Sequence, residues 1–280
     1  MPELTLAAGD ELAAADLHAA FTQAFADYLI GPFTLPLAQW PQFTGRQGVA
    51  LALSRAALAG RDILAFALVA PRPELRTWRL ATMGAQPAAR GSGAAPRLLD
   101  DFIARAAGAG CAQVELECFA QNERALSLYR SRGFEALHEL QGYSRAAVPV
   151  EGRAESAQRV PLEDAFAWLN EVNAALGDLP LQVTPVSLQA LPVPLEALRF
   201  GTAQLVYSRG ADTVTFHSLV DRDPRQHDAQ ALAAAALRQH DGCNFAVPQL
   251  QRPELGGDAL QRLGFKRTPL HQFMMRKLLG

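Results

Sequence analysis

The stretch from Ala81 to Phe134 constrains this chain most, because it joins a glycine loop to strand and helix patterns. An apolar segment at residues 80–85 predicts a strand, and Pro87 ends it because proline donates no hydrogen bond to a strand ladder. Arg90-Gly91-Ser92-Gly93 follows. The next residues have the i, i+3, i+4 spacing of an amphipathic helix: Leu98, Leu99, Phe102, Ile103 and Ala106. A strand, a glycine loop and a helix are therefore predicted in direct succession.

This loop has the chemistry of an anion site. The first N–H groups of a helix lack intrahelical acceptors, and the helix dipole places partial positive charge there. Gly91 and Gly93 let the backbone curl around an anion, and Ser92 adds a hydroxyl. An ordinary strand-to-helix turn would also need glycine for its shape, so the loop alone leaves both interpretations open.

A second pattern follows in the same stretch. The alternation over residues 110–118 predicts another strand. Asn122 is suited to cap a helix start, and Gly133 is suited to the position just past a helix end. Asn122 and Tyr129 are two helical turns apart, about 10 Å of rise, and lie on the same side of the helix. Taken singly, each feature also has a structural explanation as a cap, a stop or a core tyrosine.

The order of these motifs is more specific than any one of them. Arg90-x-x-Gly93-x-Ala95, a strand, and then Asn122-x-x-Ala125-x-x-Leu128-Tyr129-x-x-x-Gly133-Phe134 resembles the GNAT superfamily of acetyl-CoA-dependent N-acetyltransferases. Ala94-Ala95 stands where a bulky aliphatic residue and glycine are frequent in that superfamily. The resemblance implies an α/β (mixed α+β) fold, with a mainly antiparallel sheet flanked by helices.

The resemblance also implies acetyl-CoA as the cosubstrate. The strands at 80–85 and 113–118 would splay apart, with the pantetheine arm paired to backbone groups of Met83 and Ala85. Asn122 would contact that arm or place the helix that carries Tyr129. Loop amides would hold the pyrophosphate, with Arg90 nearby; these amides are those of Gly91, Ser92, Gly93, Ala94 and Ala95.

Proton balance assigns the catalytic groups. A neutral amine attacks the thioester, and the leaving thiolate needs a proton. A tyrosine hydroxyl, with a pKa of about 10, stays protonated at neutral pH and can supply that proton, so Tyr129 is the predicted general acid. Glu115 and Glu117 share one face of their strand, and Glu117 is the candidate base, through water if needed. Either glutamate can instead be a solvated or salt-bridged residue. No cysteine and histidine spacing suggests a metal, so none is expected.

Composition narrows the partners and the compartment. A net charge of −2 offers no basic field for nucleic acid. The apolar run Ile63–Ala70 is far shorter than a membrane span. Three cysteines in apolar segments fit reduced thiols, and the N-terminus lacks a signal-peptide pattern. A cytoplasmic protein without nucleic-acid or membrane partners is expected, and the oligomeric state is not indicated.

The acceptor is predicted only by class, as a small-molecule amine or a protein N-terminus or lysine. By the GNAT resemblance, the aromatic and proline-rich segment at 28–43 would form one wall of its pocket. Candidates for recognising the amine are Asp27, Tyr28, Phe33 and Trp40. These aromatics can equally pack the loop onto the sheet.

Past the tyrosine helix, two strands are predicted at Phe134–Leu140 and Tyr143–Ala147, with a turn at Gln141-Gly142. Val148–Ala157 has the composition of a linker. Residues 1–148 are therefore the predicted acetyl-CoA-binding catalytic domain, and residues 149–280 are the predicted second domain.

The second domain repeats the plan of the first without its cofactor loop. Cys111 to Phe134 and Cys243 to Phe265 have matching separations, 23 and 22 residues. The segment 221–228 carries three carboxylates and no Gly-x-Gly, and like charges there would oppose anion binding. A degenerate GNAT-like domain is predicted, which covers the first domain's sheet or completes the acceptor cleft.

Two functions are compatible with these patterns. One is an N-acyltransferase that moves an acetyl group from acetyl-CoA to a primary amine, with Tyr129 as general acid. The alternative is a non-catalytic acyl-CoA-binding sensor or assembly subunit. Tyr129 favours the enzyme, since a pure binding protein has little use for it.

Overall fold

The computed structural model describes residues 4–148 and 157–280, which form two compact units. Unit 1 comprises the chain up to Cys118 together with Asn122–Ala136 and Met275–Gly280. Unit 2 comprises Phe119–Gln121 and Leu137–Met274. All but the end residues of the predicted linker Val148–Ala157 lie outside the described residues.

The two halves of the chain contain the same order of elements. The first half contains β1 (Leu4–Ala8), α1 (Ala14–Ala24), α2 (Trp40–Arg46), β2 (Arg55–Ala59), β3 (Asp62–Arg72), β4 (Thr77–Ala85), α3 (Ala94–Gly108), β5 (Gln113–Phe119), α4 (Glu123–Arg130) and β6 (Glu135–Arg145). The second half contains β7 (Gln158–Val160), α5 (Leu162–Leu176), α6 (Pro185–Leu188), β8 (Leu195–Phe200), β9 (Ala203–Arg209), β10 (Thr213–Asp221), α7 (His227–Gln239), β11 (Asn244–Gln251), α8 (Gly257–Arg262) and β12 (Lys266–Leu278). This shared order is the one that the predicted repeat requires, although β7, β8 and α6 were not predicted.

Unit 1 is a mixed sheet with helices on both faces, as predicted. Its strands follow the order β1-β2-β3-β4-β5, and the end of β12 lies beside β5. The neighbouring strands from β1 to β4 pair antiparallel, whereas β4 and β5 pair parallel. Phe66 on β3 packs against Phe21 of α1, with ring centroids 5.9 Å apart. Trp78 on β4 packs against Phe102 of α3 at 6.4 Å, so α1 and α3 cover opposite faces.

Unit 2 repeats this arrangement with β6-β11-β10-β9-β8-β7, and the first part of β12 lies beside β6. The β10–β11 pair is parallel, as β4–β5 is in unit 1. Its core packs α7 and α8 against the sheet, with Leu232 and Leu260 fully buried.

The predicted hairpin at the end of the first half is wrong. Glu135–Arg145 is one continuous strand, and Gly142 lies in its interior rather than in a turn. A Cβ at Gly142 would lie 2.5 Å from Thr268 Oγ1 and 3.0 Å from Gln249 Cγ. Because Gly142 has no side chain, side chains of the neighbouring strands can approach the backbone of β6 closely at this point. In the sequence, a glycine with this packing role has the same appearance as a glycine in a turn.

The last strand of the chain contributes to both units. Met275–Gly280 belongs to unit 1, where the Leu279 N–H donates to the Ala112 carbonyl at 2.9 Å. The preceding part of β12 belongs to unit 2. Each unit thus contains a segment from the other half of the sequence. The division into two domains at residue 148 stays a prediction, and it marks where the second copy of the repeat begins in the sequence.

The longest helices in the described part of the chain have 15 residues. None of the described helices has the length and apolar character that a bilayer span needs.

Removal of Met275–Gly280 is expected to destabilise unit 1, because β5 loses its neighbouring strand on one edge. Each lost backbone hydrogen bond costs about 1 kcal/mol, so we expect a loss of at least about 2 kcal/mol. Thermal unfolding should then fall by roughly 4–8 °C, as followed by circular dichroism.

Leu278→Ser is the control for this truncation, since that side chain is 73% exposed and its replacement should leave the unfolding temperature unchanged. A truncated chain as stable as the full chain would show that β12 is not needed by unit 1.

Candidate active site

The site in unit 1 begins where β4 and β5 part. Their parallel pairing runs from Thr77 opposite Gln113 to Leu80 opposite Leu116, while β4 continues to Ala85 and β5 continues to Phe119. On its other edge β4 stays paired with β3, and a bulge leaves Ala81 without a partner there. A bulge bends a strand and increases its twist. The predicted splay is therefore present, and we call the space between the unpaired ends the β4–β5 gap.

The glycine loop precedes α3, near the end of the gap. Gly91 and Gly93 have φ values of +86° and +87°, in the left-handed region that favours glycine. Gly93 is the residue before the first turn of α3. Within the described residues, the backbone N–H groups of Gly91, Gly93 and Ala95 have no hydrogen-bond acceptor, whereas that of Ala94 donates to Ser92 Oγ at 3.3 Å. Three N–H groups at a helix start are thus available to an anion.

Arg90 forms an ion pair with Asp27. Its Nη1 and Nη2 each lie 2.5 Å from a carboxylate oxygen of Asp27, and its Nη2 also donates to the Ala24 carbonyl at 3.4 Å. The Arg90 guanidinium holds the pKa of Asp27 below its usual value. The pair joins the loop to the end of α1. Because Asp27 already neutralises Arg90, the loop amides are the main unshared anion donors.

The helix that carries Tyr129 has the predicted cap and stop. The Asn122 side chain accepts the Ala125 N–H at 3.2 Å. Gly133 has a φ of +81°, and the Phe134 N–H closes the helix end on the Tyr129 carbonyl at 3.1 Å. The Tyr129 ring packs edge-on against Phe134, with centroids 5.9 Å apart.

Tyr129 is a protonated and unshared donor. The residue is 7% exposed, and burial, with Cys118 and Tyr28 nearby, raises the pKa of its hydroxyl well above the usual value. Among the described residues, no group forms a hydrogen bond with that hydroxyl. A neutral phenol of this kind retains its proton for transfer across the whole neutral range.

Two further side chains lie near Tyr129, close enough for their charges to affect its pKa. Tyr28, in the loop after α1, lies close enough to the Asn122 side chain for it to oppose, in part, the rise that burial causes in the pKa of the Tyr28 hydroxyl. Burial raises the pKa of Tyr28 to about 12 and that of the Cys118 thiol to about 12. The sequence included Tyr28 only among the acceptor-wall candidates, and Cys118 was missed. The alternation of β5, which turns Cys118 to the face of Leu116, was the available signal.

The other aromatic candidates of the acceptor wall pack the loop onto the sheet. Trp40 is 2% exposed and stacks on Phe43 at 5.7 Å. Phe33 contacts Phe21 at 5.5 Å. Phe33 and Trp40 therefore have the packing role that the sequence left open as the alternative to amine recognition.

Glu117 lies away from Tyr129 and is already paired. Its carboxylate accepts Arg79 Nε at 2.8 and 3.1 Å, and Arg79 Nη2 lies 2.5 Å away. Both side chains are at most 3% exposed. Because strand side chains alternate, Glu117 and Cys118 lie on opposite faces of β5. The structure thus brings Tyr28, Cys118, Asn122 and Tyr129 together and does not bring Glu117 to them.

A second buried pair lies beside the first. Arg72 Nη1 donates to Glu115 Oε1 at 2.5 Å, and both side chains are at most 1% exposed. Burial raises the pKa of Glu115 against the opposing effect of Arg72. Arg72 and Arg79 lie in otherwise apolar strands, and this was the sequence signal for the two buried ion pairs, since a buried carboxylate needs a buried positive charge. The Arg79–Glu117 pair lies at the point where the gap opens.

Unit 2 has the same parting of strands, but its own side chains bridge it. The parallel β10–β11 pairing ends at Thr215 opposite Ala246. Gln251 Nε2 then donates to the Leu219 carbonyl at 2.9 Å. At the start of α7 the Ala229 N–H donates to Asp221 Oδ2 at 2.9 Å. A carboxylate of the chain therefore takes an N–H group that an anion would use, which agrees with the predicted loss of the cofactor loop.

Residues 15–134 match the family model described as the acetyltransferase (GNAT) family. The chain therefore carries a GNAT domain over these residues. No curated protein matches the sequence significantly. Within the described residues, no group of three or more histidine, cysteine or acidic side chains is arranged to hold a metal ion.

Solved structures extend this likeness over nearly the whole chain. A GCN5-related N-acetyltransferase from Sphaerobacter thermophilus aligns with 98% of this chain and 95% of its own, at a TM-score of 0.63 and 13% identity. The corresponding protein from Anabaena variabilis aligns with 98% and 72%, at 0.62 and 14% identity. The one from Kribbella flavida aligns with 99% and 71%, at 0.61 and 15% identity. At such identities the likeness shows a common fold.

Glu117→Gln is expected to destabilise the protein by about 3–5 kcal/mol, because it leaves the buried Arg79 without its counter-charge. The double variant Arg79→Met, Glu117→Leu should recover most of that loss, since both charges are removed together. Chemical denaturation measures both values.

Asp100→Asn is the matched control, because it breaks the exposed pair with Arg132 and should change stability little. If Glu117→Gln and Asp100→Asn lowered the free energy of unfolding by the same small amount, the buried Arg79–Glu117 pair would not be important for the stability of the strands that flank the gap.

Proposed function

We propose that the protein is an acetyl-CoA-dependent N-acetyltransferase whose reaction takes place in unit 1, with Tyr129 as general acid. The observation that carries this proposal is the protonated, unshared hydroxyl of Tyr129 beside the β4–β5 gap of a GNAT domain. The predicted compartment is the cytoplasm, and the acceptor is a primary amine of a small molecule, a protein N-terminus or a lysine.

The residues present fit acetyl-CoA. The unshared N–H groups of Gly91, Gly93 and Ala95 suit a pyrophosphate, because they combine with the positive end of the α3 dipole. The unpaired edge of β4, which includes Met83 and Ala85, offers backbone groups to an extended pantetheine arm. Further contacts of the proposed site come from Arg90, Ser92, Ala94 and Asn122.

The chain's contribution to the chemistry follows from this placement. Acetyl-CoA supplies the activated acetyl group as a thioester. A backbone N–H on the β4 edge stabilises the negative charge that grows on the carbonyl oxygen as the amine attacks. Tyr129 gives its proton to the departing sulfur, so that the thiol leaves in neutral form. Such proton donation contributes about 10²–10⁴-fold to the rate.

A non-catalytic acyl-CoA-binding sensor or assembly subunit is the second candidate. The observation in its favour is the Arg79–Glu117 pair, which engages the carboxylate that sequence patterns indicated as base. Glu117 would act as base only if Arg79 released it.

Release of coenzyme A thiol from acetyl-CoA over an amine panel tests the proposal. Native protein should turn over at least one amine, and Tyr129→Phe should lower kcat by about 10²–10⁴-fold with little change in acetyl-CoA affinity, because only the hydroxyl is removed.

Binding of acetyl-CoA without turnover of any amine would instead establish the sensor. Equal rates for native protein and Tyr129→Phe would remove Tyr129 as the general acid.

A further inference from the structure

An inference that is independent of the proposed function concerns four ionisable side chains within unit 2. His138 lies on β6, and Asp178 follows α5, whereas Arg252 and Glu254 follow β11. His138 Nε2 is 2.7 Å from Asp178 Oδ2, and His138 Nδ1 is 3.2 Å from Glu254 Oε1. The Arg252 Nη1 atom is paired with Asp178 Oδ1, and its Nε lies 2.7 Å from Glu254 Oε1. Because these contacts form a closed circuit, we call the four residues the His138 ring.

The position of His138 between two carboxylates requires its imidazole to carry a positive charge. A neutral imidazole has one N–H donor and one acceptor nitrogen, and an ionised carboxylate can only accept hydrogen bonds. Both nitrogens of His138 face a carboxylate oxygen, so both contacts are hydrogen bonds only when the imidazole is doubly protonated. The charges of the His138 ring then cancel, because two carboxylates are matched by one guanidinium and one imidazolium.

The electrostatics of the His138 ring agree with this protonation state. Burial and the charge of Arg252 lower the pKa of His138, but its bonds to Asp178 and Glu254 outweigh them and raise that pKa above the usual 6.5. Although burial opposes it, bonds from His138 and Arg252 lower the pKa of Glu254 to about 2. For the same reasons the pKa of Asp178 is below its usual value. In the described part of the chain these three are the ionisable groups that act on His138, since Glu139 lies on the opposite face of β6.

The His138 ring connects two segments that cover a cleft in unit 2. The cleft lies where β10 and β11 have parted, and it holds about 210 Å³ of space, counting the part open to solvent. Residues 178–183 and 252–255 both contribute to its walls, and we call them the cover segments. Asp178 begins the first cover segment, and Arg252 and Glu254 belong to the second, so the ring joins both to β6. The apolar side chains that line the cleft include Leu179, Val183, Leu219, Leu250 and Leu255.

The strength of this connection depends on the proton of His138. When that proton is lost, one nitrogen becomes an acceptor that faces a carboxylate oxygen, and its hydrogen bond is lost. Asp178 and Glu254 then share Arg252 as their one positive partner in the ring. Because the folded protein raises the pKa of His138, the ring is complete at low pH and weakens as the pH rises through that raised value.

We propose that the His138 ring is a pH-sensitive strap, which holds the two cover segments over the cleft while His138 is charged and releases them when it becomes neutral. Release makes the apolar lining of the cleft accessible. The cleft lies between the parted strands of unit 2, where the chain's own Gln251 and Asp221 satisfy polar groups. The strap therefore gives this unit a conformational response of its own.

Hydrogen exchange of the cover segments at several pH values tests the strap. The N–H groups of Val183 and Leu255 report on the two segments, since each donates to a carbonyl within its own turn. We expect their protection factors, which are corrected for the intrinsic pH dependence of exchange, to fall about 5–10-fold between about pH 6 and about pH 9. Amides in the middle of α7 should keep their protection over the same range.

Two variants distinguish a strap from a contact that is only structural. In His138→Gln the side chain is neutral at every pH, so the protection of both cover segments should be low throughout and should not follow the native pH profile. Glu254→Gln removes one of the two carboxylates that favour the charged imidazole, so the fall in protection should move to lower pH. His227→Gln, which replaces an exposed histidine of the same unit, is the control and should keep the native profile.

Nile red, a neutral dye that fluoresces in apolar surroundings, reports on the lining of the opened cleft. Its fluorescence with native protein should rise over the pH range in which protection falls, and it should be high at every pH with His138→Gln. Protection or fluorescence that is independent of pH in native protein would overturn the strap. A native pH profile in His138→Gln, or titration of His138 at or below its usual pKa when followed by NMR, would also overturn it.

Discussion

Hydrogen bonding between β4 and β5 stops after Leu80 and Leu116, although both strands continue, and the candidate site exists because of that interruption. The bulge at Ala81 bends β4 while its other edge stays paired with β3. Where that pairing ends, Arg79 of β4 and Glu117, the residue after Leu116 on β5, form a buried ion pair that links the two strands. Backbone groups that an ordinary sheet would use internally are thereby left for a ligand.

The same plan occurs twice in the chain, with different outcomes for the space between the parallel strands. In unit 1 the loop amides of Gly91 and Gly93 are unshared. In unit 2 the Gln251 side chain donates a hydrogen bond to the Leu219 carbonyl, and the Asp221 carboxylate accepts one from the Ala229 N–H in the first turn of α7. Once a chain satisfies these polar groups itself, a ligand must displace those bonds to bind, and that cost favours an internal structural role.

Local patterns predicted the elements that local chemistry determines. The Asn122 cap, the glycine loop and the helices around them follow from short-range rules and are present. Features that depend on contacts between distant parts of the chain could not be predicted from local sequence patterns. Gly142 resembles a turn residue, yet side chains from two other strands explain it, and the placement of β12 depends on pairing with distant segments. The pairing of Glu117 with Arg79 and the meeting of Tyr28 with Asn122 likewise depend on tertiary packing.

Calorimetric titration with coenzyme A tests the central claim most directly, because the claim is that one gap per chain accepts the ligand. Native protein should bind one molecule per chain, and Gly93→Ala should weaken binding at least about tenfold, since a side chain strains the left-handed backbone that aims the amides. Gly108→Ala at the other end of α3 should bind as native protein does. Two sites per chain, no binding heat, or full affinity in Gly93→Ala would contradict the account.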